Sequence, residues 1–263
     1  WYYREHDVIV SENGERIAIF NIRTAEELAG LAKLVRNGNN MKNTMINLVS
    51  DVTLNDTTNF DNWDEQPPAN NWTAIGAVPI EAPNVNVVMT IQPECRNTVF
   101  AGMFNGNGHT ISGMYSLHHN YAGLFARTSG IITNVIVKDS YIQCINTQKV
   151  ESGDTALWEA CAGGITAICD RGVISHCEFD GKIFASGLNQ VGYGTHGSFA
   201  GGIVGKFSDD ENGVAAVVMM FALVPAGFLI NPALFLTASG QQVITDPGIY
   251  SCINRGSIYT EHG

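Results

Sequence analysis

Hydrophobic positions in this chain recur in short runs with a long, nearly fixed period. The sequence Ala-Gly-Leu-Phe at residues 122–125 returns as Ala-Gly-Gly-Ile at 162–165 and again at 200–203, so that equivalent glycines lie 40 and 38 residues apart. A period of this length indicates stacked structural units, each too small to bury its own apolar face. Such a scaffold is a column with outer surfaces rather than a shell around one cleft.

A second recurring phrase predicts which side chains stack inside the column. It reads Gly-Ile-Ile-Thr-Asn-Val at 130–135, Gly-Val-Ile-Ser-His-Cys at 172–177 and Ile-Tyr-Ser-Cys at 249–252. Short apolar runs between residues 99 and 213, separated by turn formers such as Asn-Gly, are typical of β-strands. We expect three inward ladders: Ile132, Ile174 and Ile249; Val135, Cys177 and Cys252; and Ile183 with Ile258.

One segment has helical rather than strand periodicity. Thr24 followed by Glu27 fits a capping box, in which Thr24 is the N-cap and the Glu27 side chain reaches back toward it. Apolar residues then fall at helical spacing until Asn37-Gly38 ends the run, namely Leu28, Leu31, Leu34 and Val35. We expect a short amphipathic helix that covers one open end of the stack.

The remaining N-terminal sequence predicts strands and one irregular loop. Residues 1–22 read as short strands around a turn at Asn13-Gly14, residues 45–49 and 52–54 as the first strands of the column, and 85–91 as a β-branched strand. Residues 55–74, rich in Asn, Asp, Pro and Trp, have no periodicity and predict a surface loop, with Trp72 filling the first coil.

The repeat is interrupted once, by an apolar insertion at 214–247. The step from Ile132 to Ile174 is 42 residues but the next, to Ile249, is 75, and Val214–Ala238 is almost wholly apolar. A membrane span meets the length requirement, but two prolines and the absence of flanking basic residues argue against it. Packing along the column as a helix or hairpin, or burial against another subunit, are the other interpretations. The candidate self-association residues are Phe221, Leu223, Phe228, Leu229, Leu234 and Phe235.

The regular part of the chain resembles proteins that carry the GLUG motif, a repeat of bacterial secreted and surface proteins. The matching residues are 100–113 (Phe-Ala-Gly-Met-Phe-Asn-Gly-Asn-Gly-His-Thr-Ile-Ser-Gly), 122–125, 172–183 and 201–205, and the resemblance covers 24–208 and 248–263. It implies an all-β fold, a right-handed parallel β-helix (solenoid), with one short N-terminal capping helix. The family motif is structural, so it implies no catalytic residues. The organisation we expect is a cap and first coils at 1–98, regular repeats at 99–213, the insertion at 214–247 and a last coil at 248–263.

Composition narrows the function further. The chain has 263 residues, a net charge of −11 and only 14 Lys and Arg, which are scattered, so a nucleic-acid interface is not expected. The six cysteines include no Cys-x-x-Cys pair, which argues against a metal site; we expect inward packing, and a disulfide framework is possible but not required. The chain begins at Trp1 without a leader, which we interpret as a processed or truncated form.

Candidate chemical motifs are each outweighed by a structural interpretation. Gly192–Gly197 matches a dinucleotide fingerprint without the helix that it requires. His118-His119 is expected in an exposed loop, His109 on backbone, and the acidic runs at 56–65 and 209–212 in solvent rather than on calcium. Polysaccharide cleavage needs acids that converge on one face, but a solvated rim is the expected role of the charged residues of the repeats. Those residues are Lys138, Asp139, Asp170, Arg171, Glu178, Asp180 and Lys182.

The sequence therefore favours a non-catalytic, secreted or cell-surface bacterial module for adhesion or self-assembly. It would need no metal or cofactor, and its partner would be a protein or a second copy, bound through the 214–238 insertion. A carbohydrate-binding or polysaccharide-degrading β-helix, with Trp63, Trp72, Tyr115 or Trp158 stacking on sugar rings, is the alternative. A spacer of a larger surface protease is a further one.

Overall fold

The structure is a computed structural model of the whole chain, described here over most of its length. The described residues are 6–10, 14–77, 99–146, 160–187, 198–208, 215–216, 234–236, 242–244 and 247–262. The predicted strand at 85–91 and the fingerprint at 192–197 lie outside these residues. Within them the protein is all-β, with one α-helix, α1 (Ala25–Arg36), and one short 3-10 helix at Phe60–Asn62.

The strands are short and numerous. In chain order they are β1 (Asp7–Val10), β2 (Arg16–Ile22), β3 (Thr44–Leu48), β4 (Val52–Thr53), β5 (Met103–Asn105), β6 (Thr110–Ser112), β7 (Tyr115–His118), β8 (Tyr121–Ala122), β9 (Phe125–Thr128), β10 (Ile131–Thr133), β11 (Ile136–Asn146), β12 (Ala160–Gly163), β13 (Thr166–Asp170), β14 (Val173–Ser175), β15 (Glu178–Gly187), β16 (Ser198–Gly201), β17 (Val204–Ser208), β18 (Ala215–Ala216), β19 (Leu234–Leu236), β20 (Gln242–Ile244), β21 (Gly248–Tyr250), β22 (Ile253–Asn254) and β23 (Ser257–His262).

These strands form four larger sheets and one two-stranded pair. Sheet A has the order β1-β2-β3-β5-β10-β14-β21, and sheet B the order β22-β15-β11-β6-β4, with β23 also on β15 and β7 also on β11. Sheet C is β18-β17-β13-β9, sheet D is β16-β12-β8, and β19 pairs with β20. All pairings are parallel except β1–β2, β17–β18 and β19–β20.

The chain visits the four sheets repeatedly in one order. From β5 it runs through sheets A, B, D and C and returns to A at β10, and two further circuits begin at β10 and β14. We call each circuit a coil. In these circuits β10 to β17 pair in parallel with strands of the neighbouring coils, so that short strands such as β10 and β14 are held on both edges.

The predicted inward ladders are confirmed. Ile132 pairs with Ile174 and Ile174 with Ile249, and Ile183 pairs with Ile258. The members of the earlier coils are fully buried in one continuous apolar core, whereas Ile249 is half-buried. The Val135, Cys177 and Cys252 ladder is linked by backbone bonds from Glu178 N–H to Val135 and from Ile253 N–H to Cys177.

The glycine-rich phrase is offset by one residue from the alignment suggested by the sequence. Ala122 pairs with Ala162, as predicted, but Phe125 pairs with Thr166 rather than Ile165. The extra residue is Gly164, where an added Cβ would overlap the carbonyl oxygen of Gly202 and the ring of Phe179. A glycine at this corner therefore makes room for an inward aromatic ring.

The predicted helix and its caps are present. Thr24 Oγ1 accepts from Glu27 N–H at 3.3 Å, while Glu27 Oε2 accepts from the N–H of Arg23, one residue earlier than in the standard capping box. The helix ends at Asn37, and Gly38 has a φ of 94°. Its buried residues, Leu28, Leu31, Ala32 and Val35, belong to the main core, and Leu34 packs at its margin. This helix, the only one of its kind in the described ranges, is too short and too polar to cross a lipid bilayer.

The corner between sheets A and B is made by single residues in the left-handed region. Asn134, His176 and Ser251 have φ of 54°, 53° and 50° at equivalent positions of successive coils. In the coil that begins at β5, one coil before Asn134, the predicted turn at Asn107-Gly108 occupies this corner, and both residues have positive φ. Asn is among the residues that tolerate this conformation best, which explains the turn signal in the sequence.

Truncating one buried side chain of the isoleucine ladder tests whether the ladder stabilises the fold. Replacement of Ile174 by Ala should lower the free energy of unfolding by about 2–5 kcal/mol, because the cavity lies between two coils that cannot collapse independently. Replacement of Ile253, whose side chain is 44% exposed, by Ala should cost less than about 1 kcal/mol. Urea denaturation of both variants measures the difference, and equal costs would contradict the ladder.

Candidate interaction surfaces

Most of the predicted self-association residues lie outside the described residues. Phe221, Leu223, Phe228 and Leu229 are among these. Leu234 and Phe235 lie in β19, which pairs antiparallel with β20 in the register Leu234 to Ile244 and Phe235 to Val243. The pair is what the hairpin interpretation of the insertion requires, whereas its packing on the column stays a prediction.

The last coil, β21–β23, is the outermost coil among the described residues, and we call this margin of sheets A and B the open end. Among the described strands, none pairs with the outer edges of β21, β22 and β23, which terminate sheets A and B. Its inward residues Ile249, Cys252 and Ile258 are only half-buried, although their counterparts one coil earlier are buried. Ile253 projects outward and is 44% exposed. Unpaired edges next to half-buried aliphatic side chains favour the addition of another strand.

The opposite end is covered. The apolar side of α1 lies in the main core together with Ile22, Ile46 and Leu48 of the first coils. Sheet A ends there in the antiparallel strand β1, where Val10 is 65% exposed. The two ends therefore differ in burial: the helix completes the core beside the first coils, whereas the inward side chains of the last coil are only half-buried among the described residues.

The outer face of sheet B carries a row of four side chains across four coils, of which Leu117, Phe184 and Tyr259 are apolar or aromatic and Gln143 is polar. Leu117 pairs with Gln143, Gln143 with Phe184, and Phe184 with Tyr259. The first three are half-buried, and Tyr259 is 59% exposed. Because these positions face outward in strand alternation, the row forms a flat strip along the column. We call it the sheet B strip.

A loop packs beside this strip. Trp63 stacks edge-on against Tyr115, with ring centroids 6.1 Å apart, and Tyr115 stacks on Tyr141 at 5.8 Å. Lys182 Nζ donates to the carbonyl oxygen of Asp61 at 2.9 Å and lies 5.3 Å from the ring centroid of Phe60. The loop thus bridges three coils.

The aromatic residues of that region pack inside the protein, so the rings of Trp63, Trp72 and Tyr115 are not exposed for stacking on sugars. Trp63, Trp72 and Tyr115 are all buried, and Trp158 lies outside the described residues. The Trp72 N–H donates to Tyr115 at 2.6 Å and its indole Nε1–H to Leu124 at 3.3 Å, so Trp72 fills the first coil as predicted. The sequence missed the sheet B strip because its residues are far apart in the chain.

Two of the charged residues singled out in the repeats, Asp170 and Glu178, are ion-paired rather than merely solvated. Arg127 forms a salt bridge with Asp170 on sheet C, and Arg255 Nε pairs with Glu178 Oε1 at 3.0 Å on sheet B. Asp170 and Glu178 belong to different sheets, with β14 between them in the chain, so they do not gather at one corner. Lys182 holds the loop described above. These side chains fasten one coil to another.

The histidines also have structural roles, partly against expectation. His118 is buried, not in an exposed loop, and its Nδ1 accepts from the N–H groups of Asn120 and Tyr121. His119 Nδ1 lies 3.0 Å from the carbonyl oxygen of Ile145. His109 pairs through its side chain with Asp51 at 3.2 Å rather than with backbone. The Thr110 N–H, with His109, holds the pKa of Asp51 below its usual value.

The described cysteines are free thiols, and no His, Cys, Asp or Glu groups within the described part of the chain are arranged to hold a metal ion. Burial raises the pKa of Cys169 to about 12 and that of Cys144 further. Cys177 and Cys252 differ from these because they are hydrogen-bonded to each other.

Comparison with known proteins finds no match. No family model, no curated protein and no solved structure is similar to this chain. Any function must therefore be argued from the surfaces described above: the open end, the sheet B strip and the insertion.

The stacked phenols predict a change at alkaline pH. Burial raises the pKa of Tyr115 and of Tyr141, and Asp64 adds to the effect on Tyr141. A raised folded-state pKa means that the stabilisation is complete below the unfolded value of about 10 and is lost as pH rises through the folded values.

Spectrophotometric titration checks this. In native protein Tyr115 and Tyr141 should titrate with a pKa above the ordinary value of about 10. The Tyr141→Phe variant should have one fewer phenol with a raised pKa, and in denatured protein no phenol should have one. Native and denatured titrations that coincide would contradict the loop packing.

Proposed function

We propose that this chain is a right-handed parallel β-helix of the GLUG-repeat type that acts by binding rather than by catalysis. The repeated circuit through sheets A, B, D and C supports the solenoid, and the strong preference for right-handed crossovers between parallel strands supports its hand. The proposed setting is secreted or on a bacterial surface, as the resemblance of its repeats implies.

A binding role fits the way in which the polar side chains are used. Asp170, Glu178 and Lys182 each contact a partner from another part of the chain, and those contacts connect coils or hold the loop. Side chains committed to such pairs are not poised for acid–base chemistry, which needs groups aimed at a common substrate.

Self-assembly through the open end is the most direct form of this role. The observation that carries the proposal is a difference in burial: the apolar side chains of α1 are buried in the core beside the first coils, whereas Ile249 and Ile258 of the last coil are only half-buried, next to strand edges without a described neighbour. A second copy can add its own edge strands there. The insertion at 214–247 directly precedes β21 in the chain, so it can take part in the same contact.

A charged residue at the open end should block association. The Ile253→Lys variant should weaken self-association at least tenfold, because the lysine would have to lose its hydration against an apolar edge. Val10→Lys, which places a lysine at a 65% exposed position of β1 at the covered end, is the control and should leave association unchanged. Analytical ultracentrifugation over a range of concentrations measures both.

The outcomes separate the alternatives. If only Val10→Lys dissociates the protein, the covered end is the interface and the proposal is wrong. If the wild-type chain is a monomer at all concentrations, self-assembly is excluded. A chain that lacks 214–238 and still associates normally would show that the insertion is not required.

Glycan binding at the sheet B strip is the second candidate. The observation that favours it is the exposed ring of Tyr259, in register with half-buried Phe184 on a flat face. Flat aromatic rings beside amide and ammonium groups are suited to stacking and hydrogen bonding with sugars.

An oligosaccharide array, followed by calorimetry on any ligand found, tests this candidate. Tyr259→Ala should weaken binding about threefold to tenfold, the loss expected for one aromatic contact. Val10→Ala, which removes exposed apolar surface elsewhere, should have no effect. Binding that both variants retain in full would place the glycan away from the strip.

A further inference from the structure

The ladder formed by Val135, Cys177 and Cys252 contains two cysteines at equivalent corners of adjacent coils. Glu178 pairs with Ile253 in parallel register, and the Ile253 N–H donates to the Cys177 carbonyl at 2.9 Å. Adjacent strands in a sheet lie about 4.8 Å apart, which is inside the range of Cα separations that a disulfide spans.

The side chain of Cys252 also lies against Cys177. The Cys177 N–H lies 3.5 Å from Cys252 Sγ, and both thiols have equivalent surroundings: each Sγ contacts the carbonyl two residues earlier at 3.3 Å, that of Ser175 or of Tyr250. The thiol of Cys177 is hydrogen-bonded to Cys252.

From this juxtaposition we propose that Cys177 and Cys252 are a disulfide-forming pair that fastens the last coil to the column. The pair is separated by 75 residues in the chain, so the bond closes a loop that contains β16, β17 and the whole insertion. The inference does not depend on the proposed function.

The reaction is a thiol–disulfide exchange with a small-molecule disulfide as the oxidant. Cys252, which is half-buried and has its pKa lowered by the hydrogen bond with Cys177, loses its proton and attacks the oxidant; one thiolate leaves and a mixed disulfide forms. Cys177, which is buried, then loses its proton and attacks Cys252 Sγ, which releases the second thiolate. Two protein thiols are oxidised and one small disulfide is reduced to two thiols.

The other described thiols make suitable controls. Cys144 and Cys169 are buried with raised pKa values, and neither has a cysteine at the equivalent position of the adjacent strand, where Cys144 pairs with Ala185 and Cys169 with Phe207. The chain also supplies a tolerated replacement, because Val135 occupies the same ladder one coil earlier. Cys177→Val and Cys252→Val therefore remove the sulfur while keeping an apolar ladder.

The test is equilibration of the whole chain with oxidised glutathione, alkylation of remaining thiols in denaturant, and peptide mapping without reductant. We expect a Cys177–Cys252 linked peptide as the main product, while Cys144, Cys161 and Cys169 are alkylated. Amide hydrogen exchange at 247–262 should slow at least tenfold on oxidation, and either valine variant should abolish both results, whereas Cys169→Ser should retain them.

The proposal is overturned if both thiols are still alkylated after prolonged oxidation, or if Cys252 stops as the mixed disulfide with glutathione. A link between Cys252 and any other cysteine, including Cys95, overturns it equally. Slower exchange at 247–262 that persists in Cys177→Val would show that the oxidation acts elsewhere.

Discussion

Parallel, in-register hydrogen bonding between successive coils is the constraint on which the rest of this structure depends. Because each residue pairs with the residue one circuit away, a side chain that points inward in one coil places its counterpart inward in the next. The register is also protected against local length changes. Between Lys138 and Ser140 the extra residue Asp139, with a φ of 45°, forms a bulge, after which Ile142 and Ile183 are again opposite each other.

The same constraint divides the residues by role. Inward positions carry Ile, Val, Phe and Cys in one continuous core, whereas outward positions are free to carry ion pairs, the sheet B strip and the loop that bears Trp63. The apolar core and the contacts between outer side chains thus lie on opposite faces of the same strands. The outermost described strands are the exception, since no described strand pairs with the outer edges of β1 or of β21–β23.

Much of the fold was predictable because its information is periodic. The isoleucine ladder, the helix from Thr24 and the Asn107-Gly108 corner each follow from a local signal repeated at a fixed distance. The one-residue offset near Gly164 could not be predicted. A sequence alignment matches residue types, whereas the space at this corner is set by the inward ring of Phe179.

The candidate surfaces were harder to predict, for a physical reason. Burial of Trp63 against Tyr115 and the salt bridge from Arg127 to Asp170 join residues without any sequence relation, and nothing in composition encodes them. The pairing of Cys177 with Cys252 lay between these cases: the shared repeat position was visible, while the approach of the sulfur atoms needed the coordinates.

The long departure of the chain between β17 and β21 has a consequence for how such a protein can change. The chain leaves sheet C, and when it returns at β21 it resumes pairing with β14 in the established register. The cost in loop-closure entropy grows only slowly with length. This junction is therefore a site at which the inserted segment can be lengthened, shortened or replaced while β14 and β21 keep their pairing.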